Sequence, residues 1–395
     1  QNGLNCAQYQ DDDNNGYADR RFTHTSEDIR DYLISKGYNS QRIYYTDNSV
    51  YPVNYNQGYY SNGQAIPSVL SKSNNFNWSG GAADITNSIN AGKFLVFHRD
   101  HGYTGGSGWA HPYYVNSSMS GLNNGDKLPI VFSINCHTGE FTQNSCFAET
   151  FMRKANAGTV GIIAASYYSY SGYNDGLSVG LVDAIWSNPG LVPVFGNGGV
   201  SSPNVTPHTD ITTLGDVVNH GLVRMVQTWN GGNNANRYSY ELFHYFGDPA
   251  MRIWTSLPEN ITALTADTVS CSDTAFVITN CSDSNAVATI IGNGVLLGKT
   301  TLVNGNGAIM LNGLQGAYLT LTISGHNKRP FIKHIVIGAG SNLTIYNSIT
   351  ENICFENNIG SLEVFPSCGN PPYQILWSNG DTVQKIENLA SGTYS

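Results

Sequence analysis

The chain has 395 residues, a formal net charge of −9 at pH 7 and only 12% charged residues. The negative charge and the lack of Lys and Arg clusters exclude a basic surface for nucleic acid or for an anionic membrane. No apolar run reaches the roughly 18 residues that a membrane-spanning helix needs, so no membrane span is predicted. The low charge and the many Gly, Asn, Ser and Tyr residues favour a β-rich, extracytoplasmic protein.

The first predicted element is a short strand at residues 3–7, and an acidic loop follows it. The loop has the alternating oxygen ligands and the turn glycine, Gly16, that are typical of the first half of a calcium loop. Its candidate ligands are Asp11, Asp13, Asn15 and Asp19. The twelfth position is Phe22 rather than the bidentate Glu of an EF-hand. A structural calcium site and a solvated acidic turn therefore both stay open.

Alternating helix and strand patterns follow the loop. A helix is predicted over residues 25–37, with Thr25 or Ser26 as its N-cap and Gly37 at its end. The next elements are a strand at 42–46, a helix at 82–91 and a strand that begins at residue 94. This order predicts a parallel sheet with helices on its faces. Later helices are predicted at 146–157, 176–186 and 208–231, and a further buried strand at 159–165.

Two apolar segments of this pattern end in reactive residues. The first runs into His98 and His101, and the second runs into Cys136. Neighbouring parallel strands deliver such residues to one edge of a sheet, where an imidazole can take the proton of a thiol. Gly102 allows close approach of the backbone, and its N–H with that of Cys136 is a candidate oxyanion hole. His98 has no following Gly and is predicted to be a packing or hydrogen-bonded residue.

This pair of strand endings, His-Gly at 101–102 and Asn-Cys at 135–136, resembles the clan of caspases, legumain, clostripain and gingipains. The resemblance to gingipains goes further in order and spacing, and it covers residues 1–340. The matching segments are Cys136–Phe141, Ser145–Glu149, Phe151–Arg153, Gly158–Ala164 and Tyr245–Pro249. It implies a caspase-like α/β fold for residues 1–256, with a mostly parallel sheet and helices on both faces. It also implies a cysteine endopeptidase with Cys136 as nucleophile and His101 as base.

The resemblance further implies how the histidine is held. In gingipains an acidic residue after the first strand orients the catalytic histidine, and Asp11 or Asp12 falls near that position. The acid that Arg-preferring gingipains carry ahead of the first helix falls near Arg21 or Phe22 here, and neither has a carboxylate. The sequence therefore departs from the family at the position linked to Arg preference.

A third implication concerns the pocket for the residue before the scissile bond. In the family, the segment after the strand at 159–165 helps to wall that pocket. The residues assigned to substrate binding on this basis are Ser166, Tyr167, Tyr168 and Asp175. A carboxylate of Asp175 at the base of the pocket favours Lys or Arg, because a desolvated ion pair discriminates well. The alternative is that Asp175 caps the helix at 176–186.

From Leu257 onward the sequence changes to short alternating strands separated by Asn, Gly and Ser turns. Their spacing predicts an immunoglobulin-like β-sandwich at 257–340, which resembles the small domain behind the gingipain catalytic unit. Residues 341–395 form a further β-segment that resembles a repeat of large bacterial surface adhesins, present here in part. The clearest strands are at 275–279, 288–291, 308–311, 318–323 and 331–337.

Seven cysteines set the redox expectations. Two later couples are placed for disulfides in an exported chain, although the sequence does not fix their connectivity. These couples are Cys271 with Cys281 and Cys354 with Cys368. The remaining Cys6, Cys136 and Cys146 are compatible with one free thiol that does chemistry. No CxxC or HExxH motif indicates a zinc site.

Together these patterns predict a secreted or cell-surface bacterial cysteine endopeptidase that acts on protein or peptide substrates. No cofactor is needed for the chemistry, and calcium is expected only in a structural role. The trailing β-domains predict attachment to the cell surface. Two alternatives stay open: a catalytically silent peptidase-like binding module, and a peptide transpeptidase or ligase that passes the acyl group to an amine.

Overall fold

The structure is a computed structural model that describes residues 2–58, 60–193, 208–229, 234–311, 314, 318–338, 343–350, 358–368 and 372–395. The chain divides into two compact units, residues 1–256 and residues 257–395. Within the described ranges, no helix is long and apolar enough to cross a membrane.

The first unit is built on a six-stranded sheet. Its strands are β1 (Asn2–Gln8), β2 (Asn39–Tyr45), β3 (Leu95–Arg99), β4 (Ile130–Ile134), β5 (Gly161–Ala165) and β6 (Phe243–Gly247). Their order across the sheet is β6-β5-β4-β3-β1-β2. The pairings among the first five strands are parallel, and β6 runs antiparallel to β5. The predicted mostly parallel sheet is therefore confirmed.

Six α-helices lie between these strands in the part of the unit that the structure describes. They are α1 (Phe22–Ser35), α2 (Ala82–Asn90), α3 (Phe147–Met152), α4 (Ser171–Ile185), α5 (Leu214–Thr228) and α6 (Asn234–Leu242). Helix α1 begins at Phe22 rather than near Thr25, because Thr23 donates a hydrogen bond to the carbonyl of Gln8 and ties the extra turn to β1. Helix α3 is shorter than predicted, since Asn156 and Gly158 beyond it have left-handed φ angles of 54° and 101°. Helix α6 was not predicted.

Alternating residues of the central strands face opposite layers of helices. On β3, Leu95 and Phe97 pack with residues of α1, α4 and α5, whereas Val96 packs with residues of α2 and α3. Strands covered on both faces are mostly apolar, which is why β3, β4 and β5 read as hydrophobic runs that only His98, Arg99 and Ser133 interrupt. The helices thus cover both faces of the sheet and leave the strand ends for function.

The second unit is all β. A three-stranded and a five-stranded sheet enclose one apolar core, as predicted for an immunoglobulin-like sandwich, and a separate three-stranded sheet follows. The longer sandwich strands are Ala275–Thr279, Val287–Gly292, Val295–Thr301, Gly307–Met310, Tyr318–Ser324 and Phe331–Ile337. The last sheet contains Thr344–Thr350, Gly360–Ser367 and Lys385–Leu389.

The disulfide of this unit differs from the predicted couples. Cys271 is bonded to Cys368, at a sequence separation of 97 residues. Cys281 is a free thiol buried in the sandwich core, so its expected pairing with Cys271 is wrong. Cys354 lies outside the described residues. The prediction paired cysteines that are close in sequence. Consecutive β-segments, however, place residues that are close in sequence at different positions in a sandwich.

Candidate active site

The five parallel strands of the first unit end at the same edge of the sheet. In the parallel register, Arg99 at the end of β3 pairs with Ala7 of β1 and with Ile134 of β4. The loops that leave these strands therefore emerge side by side. His101 follows β3 and Cys136 follows β4, and both line one cavity of about 510 Å³. The predicted meeting of the two residues at one edge is observed.

Gln10, in the loop after β1, holds the imidazole of His101. The His101 Nε2 and Gln10 Oε1 atoms lie 3.0 Å apart, and the Gln10 Nε2 group donates to Asp12 Oδ2 at 2.8 Å. A carboxylate only accepts hydrogen bonds, so the Gln10 amide nitrogen faces Asp12 and its oxygen faces His101. The His101 Nε2 must then carry a proton. This leaves the Nδ1 lone pair of neutral His101 free to accept the proton of a thiol.

The surroundings of His101 favour its neutral form. The pKa of His101 is lowered from its ordinary value, first by burial and then by the positive charges of Arg99 and Arg20, while the charge of Asp12 raises it. Phe22 packs its ring edge to face against the imidazole, with ring centroids 5.2 Å apart. A neutral imidazole is the form that acts as a general base.

Removing the charge of Asp12 is expected to lower the pKa of His101 further. In Asp12→Asn the carboxylate that stabilises the imidazolium is gone, and the Gln10 amide loses the acceptor that fixes its orientation. The measurement is a histidine NMR titration in a Cys136→Ala background, with His101→Gln used for assignment. Asp13→Asn makes the same charge change in the same loop and should leave the His101 pKa in place. Equal shifts in both variants would contradict the Asp12–Gln10 connection.

The thiol of Cys136 lies against the segment that follows β5. The backbone N–H of Ser169 donates to Cys136 Sγ at 3.3 Å, and Asn174 Nδ2 donates to Ser169 Oγ at 2.7 Å. This backbone donor fixes the position of the sulfur beside the segment that follows β5. Sequence reasoning missed Ser169 as well as Gln10. The available signal was position alone, since both follow strands that end at the same edge.

Gly102 is required by the close approach of the two loops. A Cβ at this position would collide with the carbonyl oxygen of Cys136 and would lie 2.7 Å from Asn135 Oδ1. Asn135 in turn contacts His98 Nδ1 at 2.7 Å, and the His98 ring is stacked on Trp109 with centroids 4.2 Å apart. His98 is fully buried, so its predicted packing role is confirmed.

Comparison with known families decides what kind of unit this is. A family model described as Peptidase family C25 matches residues 2–254, more than half of the chain. The chain belongs to peptidase family C25. A model for the C-terminal Ig-like domain of the same family matches residues 264–338, and the SprB repeat model matches residues 347–382. The predicted gingipain resemblance, with an Ig-like domain and a surface repeat behind it, is confirmed.

Individual relatives agree with this placement. Gingipain R1 of Porphyromonas gingivalis is 27% identical over 260 residues, which cover 64% of this chain and 24% of that protein. Gingipain R2 of the same species is 25% identical over 273 residues, covering 67% and 34% of the two chains. This chain therefore spans a quarter to a third of the length of these relatives.

Solved structures show the shared fold. The crystal structure of the Arg specific cysteine proteinase gingipain R matches with a TM-score of 0.58 at 22% identity, over 85% of this chain and 67% of that one. A complex of the RgpB pro- and mature domains of P. gingivalis gives the same TM-score and identity. The C25 unit, residues 1–256, thus has the gingipain caspase-like α/β fold, and a β-rich Ig-like domain follows it.

Within the C25 unit, the predicted histidine-orienting acids do not touch His101. The carboxylate of Asp11 is buried and accepts hydrogen bonds from the backbone N–H groups of Asn15 at 3.0 Å and Gly16 at 2.9 Å. Asp11 therefore shapes the loop. Asp12 accepts its hydrogen bond from the amide of Gln10 rather than from the imidazole, and it acts on His101 through that amide and through its charge. The expectation that Asp11 or Asp12 contacts the imidazole directly is corrected to Gln10.

Asp175 of the C25 unit is withdrawn from the cavity. It lies inside α4, so it does not cap a helix that begins after it. Its carboxylate is buried and accepts hydrogen bonds from Arg99 Nε at 2.9 Å, Thr25 Oγ1 at 2.9 Å and Tyr60 OH at 3.1 Å. Both predicted roles, pocket acid and helix cap, are corrected. The ion pair with Arg99 neutralises the Asp175 carboxylate, which was expected to bind a basic residue of the substrate.

The segment that walls the cavity begins later than predicted. Ser166 is anchored to the carbonyl of Leu242 through both its N–H and its hydroxyl group, at 2.8 and 3.1 Å. The rings of Tyr167 and Tyr168 pack on His137, with centroids 5.1 and 4.3 Å away. The cavity is lined instead by the segment 169–174. Residues 166–168 at the end of the strand contact Leu242 and His137, and the chain reaches the cavity only from Ser169 onward.

The acidic loop of the C25 unit holds the candidate calcium ligands in a hydrogen-bonded turn. Asp13 accepts from the backbone and side-chain N–H groups of Asn15, whose own oxygen accepts from the Tyr17 N–H. Asp19 accepts from the Asp12 N–H at 2.8 Å. The candidate ligand oxygens, like those of Asp11, are thus engaged by the loop itself. Calcium binding stays a prediction, which a calcium titration checks, and no catalytic step is derived from it.

Proposed function

We propose that this chain is an exported cysteine endopeptidase in which Cys136 is the nucleophile and His101 is the general base and acid. The observation that carries the proposal is the pairing of the two residues in one cavity, with His101 held by Gln10 so that its Nδ1 lone pair is free. A nucleophile, a base beside it and a third group that orients the base form the arrangement typical of covalent catalysis.

The proposed reaction has two steps. His101 Nδ1 takes the proton from Cys136 Sγ, the sulfur attacks the scissile carbonyl, and the imidazolium gives that proton to the departing amine. Water then attacks the thioester, loses a proton to His101, and releases the carboxylic acid while the proton returns to the sulfur. The N–H groups of Gly102 and Cys136 would stabilise the oxyanion in both steps. Gln10 Oε1 accepts from Nε2 in both protonation states of His101.

The cavity is not expected to select Lys or Arg before the scissile bond. It is lined by Arg99 and by the exposed Arg20, and Asp175 is bound to Arg99. The lining carboxyl group of Asp100 is buried, and burial raises its pKa well above its ordinary value. In a peptide library we expect at least about 10-fold lower kcat/KM for basic than for neutral or acidic residues at this position. Arg20→Gln should narrow that difference, and preferential cleavage after Lys or Arg would contradict it.

The proposed function is tested by labelling and product analysis. A peptide with an electrophilic carbonyl end should modify Cys136 in the full chain, and His101→Gln should slow that labelling strongly. A library digest should give hydrolysis products, and adding an amine nucleophile should not divert them. An intact chain that neither labels nor cleaves, with reductant and calcium present, would favour the silent binding module. Diversion to amide products would favour the transpeptidase.

Export and surface attachment are parts of the same proposal. The gingipain relatives and the SprB repeat match support an extracellular or cell-surface location. The repeat provides a β-domain separate from the catalytic residues. We expect the protein to fractionate with the cell surface or the medium, which fractionation with an antibody against the C25 unit would check.

A further inference from the structure

A cluster of three metal-ligand side chains lies away from the proposed catalytic cavity. Asp183 is on α4, His220 is on α5, and His208 lies ahead of α5. One ligand atom from each of these side chains lies within 4.8 Å of the others. None of the three lines the cavity that contains Cys136. The cluster is thus separate from the chemistry proposed above.

Close packing of two helices positions this cluster. A Cβ at Gly180 of α4 would lie 2.7 Å from the carbonyl oxygen of Gly221 on α5, so the backbones meet at these glycines. Asp183 and His220 lie next to this contact, each near one of the glycines in sequence. The segment that carries His208 is tied to the same place, because the Ile211 N–H donates to the carbonyl of Ala184 at 2.8 Å.

The hydrogen bonds of His208 leave one nitrogen unsatisfied. Its Nδ1 lies 2.9 Å from the carbonyl oxygen of Thr209, so Nδ1 must carry a proton. In the neutral ring, Nε2 is then a bare acceptor. This atom is buried, makes no hydrogen bond to any residue that the structure describes, and faces Asp183 Oδ2 at 3.5 Å. Two acceptors that face each other across this distance require a cation between them or a proton on Nε2.

The remaining contacts match a metal site with its supporting groups. His220 Nε2 lies 2.8 Å from the same Asp183 Oδ2, and Asp183 Oδ1 accepts from the Asn188 N–H at 2.8 Å. A carbonyl on Nδ1 is the usual partner of a metal-bound histidine, since it fixes the tautomer with Nε2 as ligand. Two imidazoles and one carboxylate are a donor set that zinc takes with a water molecule as the fourth ligand.

We propose that Asp183, His208 and His220 bind a divalent transition metal, with zinc as the best match. The ion would join α4, α5 and the segment ahead of α5 and stabilise the C25 unit. Arg224 Nε donates to Asp183 Oδ2 at 3.1 Å, and its positive charge weakens the attraction of this oxygen for a second cation. The site is therefore weaker than one whose carboxylate has only neutral neighbours.

The test measures zinc binding by calorimetry and by thermal stability, in a Cys136→Ala chain that lacks the partly exposed thiol of the cavity. We expect one zinc ion per chain, a rise in Tm with zinc, and weaker binding at pH 5.5 than at pH 7.5 because protonated imidazoles do not ligate. His208→Gln and His220→Gln should each weaken binding at least about 10-fold and remove the rise in Tm. Their Tm without zinc reports whether the variants fold.

The matched control is His334→Gln, which removes a histidine of the second unit and should leave zinc binding unchanged. Cobalt absorption adds a readout of ligand geometry that does not depend on activity. The proposal is overturned if zinc does not bind saturably, or if it binds equally well to His208→Gln and His220→Gln. It is also overturned if NMR shows His208 as an imidazolium at pH 7.5 with zinc present, because the proton then takes the place of the metal.

Discussion

Replacing Cys136 by Ala is expected to reduce kcat/KM for peptide hydrolysis by about 10⁴-fold or more, since the loss of a nucleophile removes the covalent pathway. Binding should survive, because the side chain is small and the cavity is formed by several other residues. The measurement compares cleavage of a library-selected peptide by the two chains, together with the affinity of Cys136→Ala for the same peptide. Reduced turnover with retained affinity identifies the sulfur as the reacting atom.

The control for this result is a second free thiol in the same unit. Cys6 is fully buried in the core on β1, and burial raises the pKa of its thiol well above the ordinary value. A thiol that stays protonated and has no access to solvent is a poor nucleophile. Cys6→Ala should therefore keep both its activity and its labelling by the electrophilic peptide. A loss of labelling in Cys6→Ala would mean that the dyad assignment is mistaken. Peptide cleavage by Cys136→Ala at the rate of the parent chain would contradict the proposed mechanism.

The positions of the proposed nucleophile and base could be predicted because strand geometry fixes them. A buried parallel strand is predicted from a short, mostly apolar run, and the residues just after its carboxyl end lie at the functional edge. His101 and Cys136 follow two such runs, and β3 and β4 pair directly. Gly102 could be predicted for the same reason, since the loops after adjacent strands touch. Strand position placed these three residues, and the resemblance to gingipains supplied their expected roles.

The supporting residues could not be predicted in the same way, since their roles depend on contacts between distant segments. Gln10 lies 91 residues from His101 in sequence, and Ser169 lies 33 residues from Cys136. An acid was expected beside His101 because the resemblance to gingipains implies one after the first strand. Here the side-chain amide of Gln10 contacts the imidazole, and the same amide donates a hydrogen bond to Asp12. Neither spacing nor residue type distinguishes a Gln that points at the site from one that points at solvent.

Asp175 is another residue whose role depends on contacts with distant segments. An acidic residue beyond a strand end matched the expected pocket acid, yet its partners are Arg99, Thr25 and Tyr60, at separations of 76, 150 and 115 residues. The signal that favoured this pairing was an arginine inside a buried strand. Arg99 is the last residue of β3 and is only 1% exposed, so its charge needs a buried partner. A charge at such a position predicts a counter-charge nearby, although it does not say which one.

Asp175→Asn is therefore expected to destabilise the C25 unit by about 3–5 kcal/mol, because it leaves the guanidinium of Arg99 buried without compensation. Urea unfolding followed by tryptophan fluorescence is the measurement, since five of the six tryptophans lie in this unit. Glu241→Gln is the matched control. It removes one partner of the exposed ion pair between Glu241 and Arg237, and no measurable change in the free energy of unfolding is expected.

The same variant separates an ion pair that supports the fold from a pocket acid. If Asp175 stabilises Arg99, then adding Arg99→Gln to Asp175→Asn should cost less than the sum of the two single changes, which a double-mutant cycle measures. The cleavage preference of the remaining folded enzyme should match that of the parent. If Asp175 instead bound the substrate, the variant would keep its stability and lose discrimination at one peptide position. A stabilising ion pair predicts a lower free energy of unfolding with an unchanged cleavage preference, and a pocket acid predicts the reverse. Both quantities can be measured on the same preparation of Asp175→Asn.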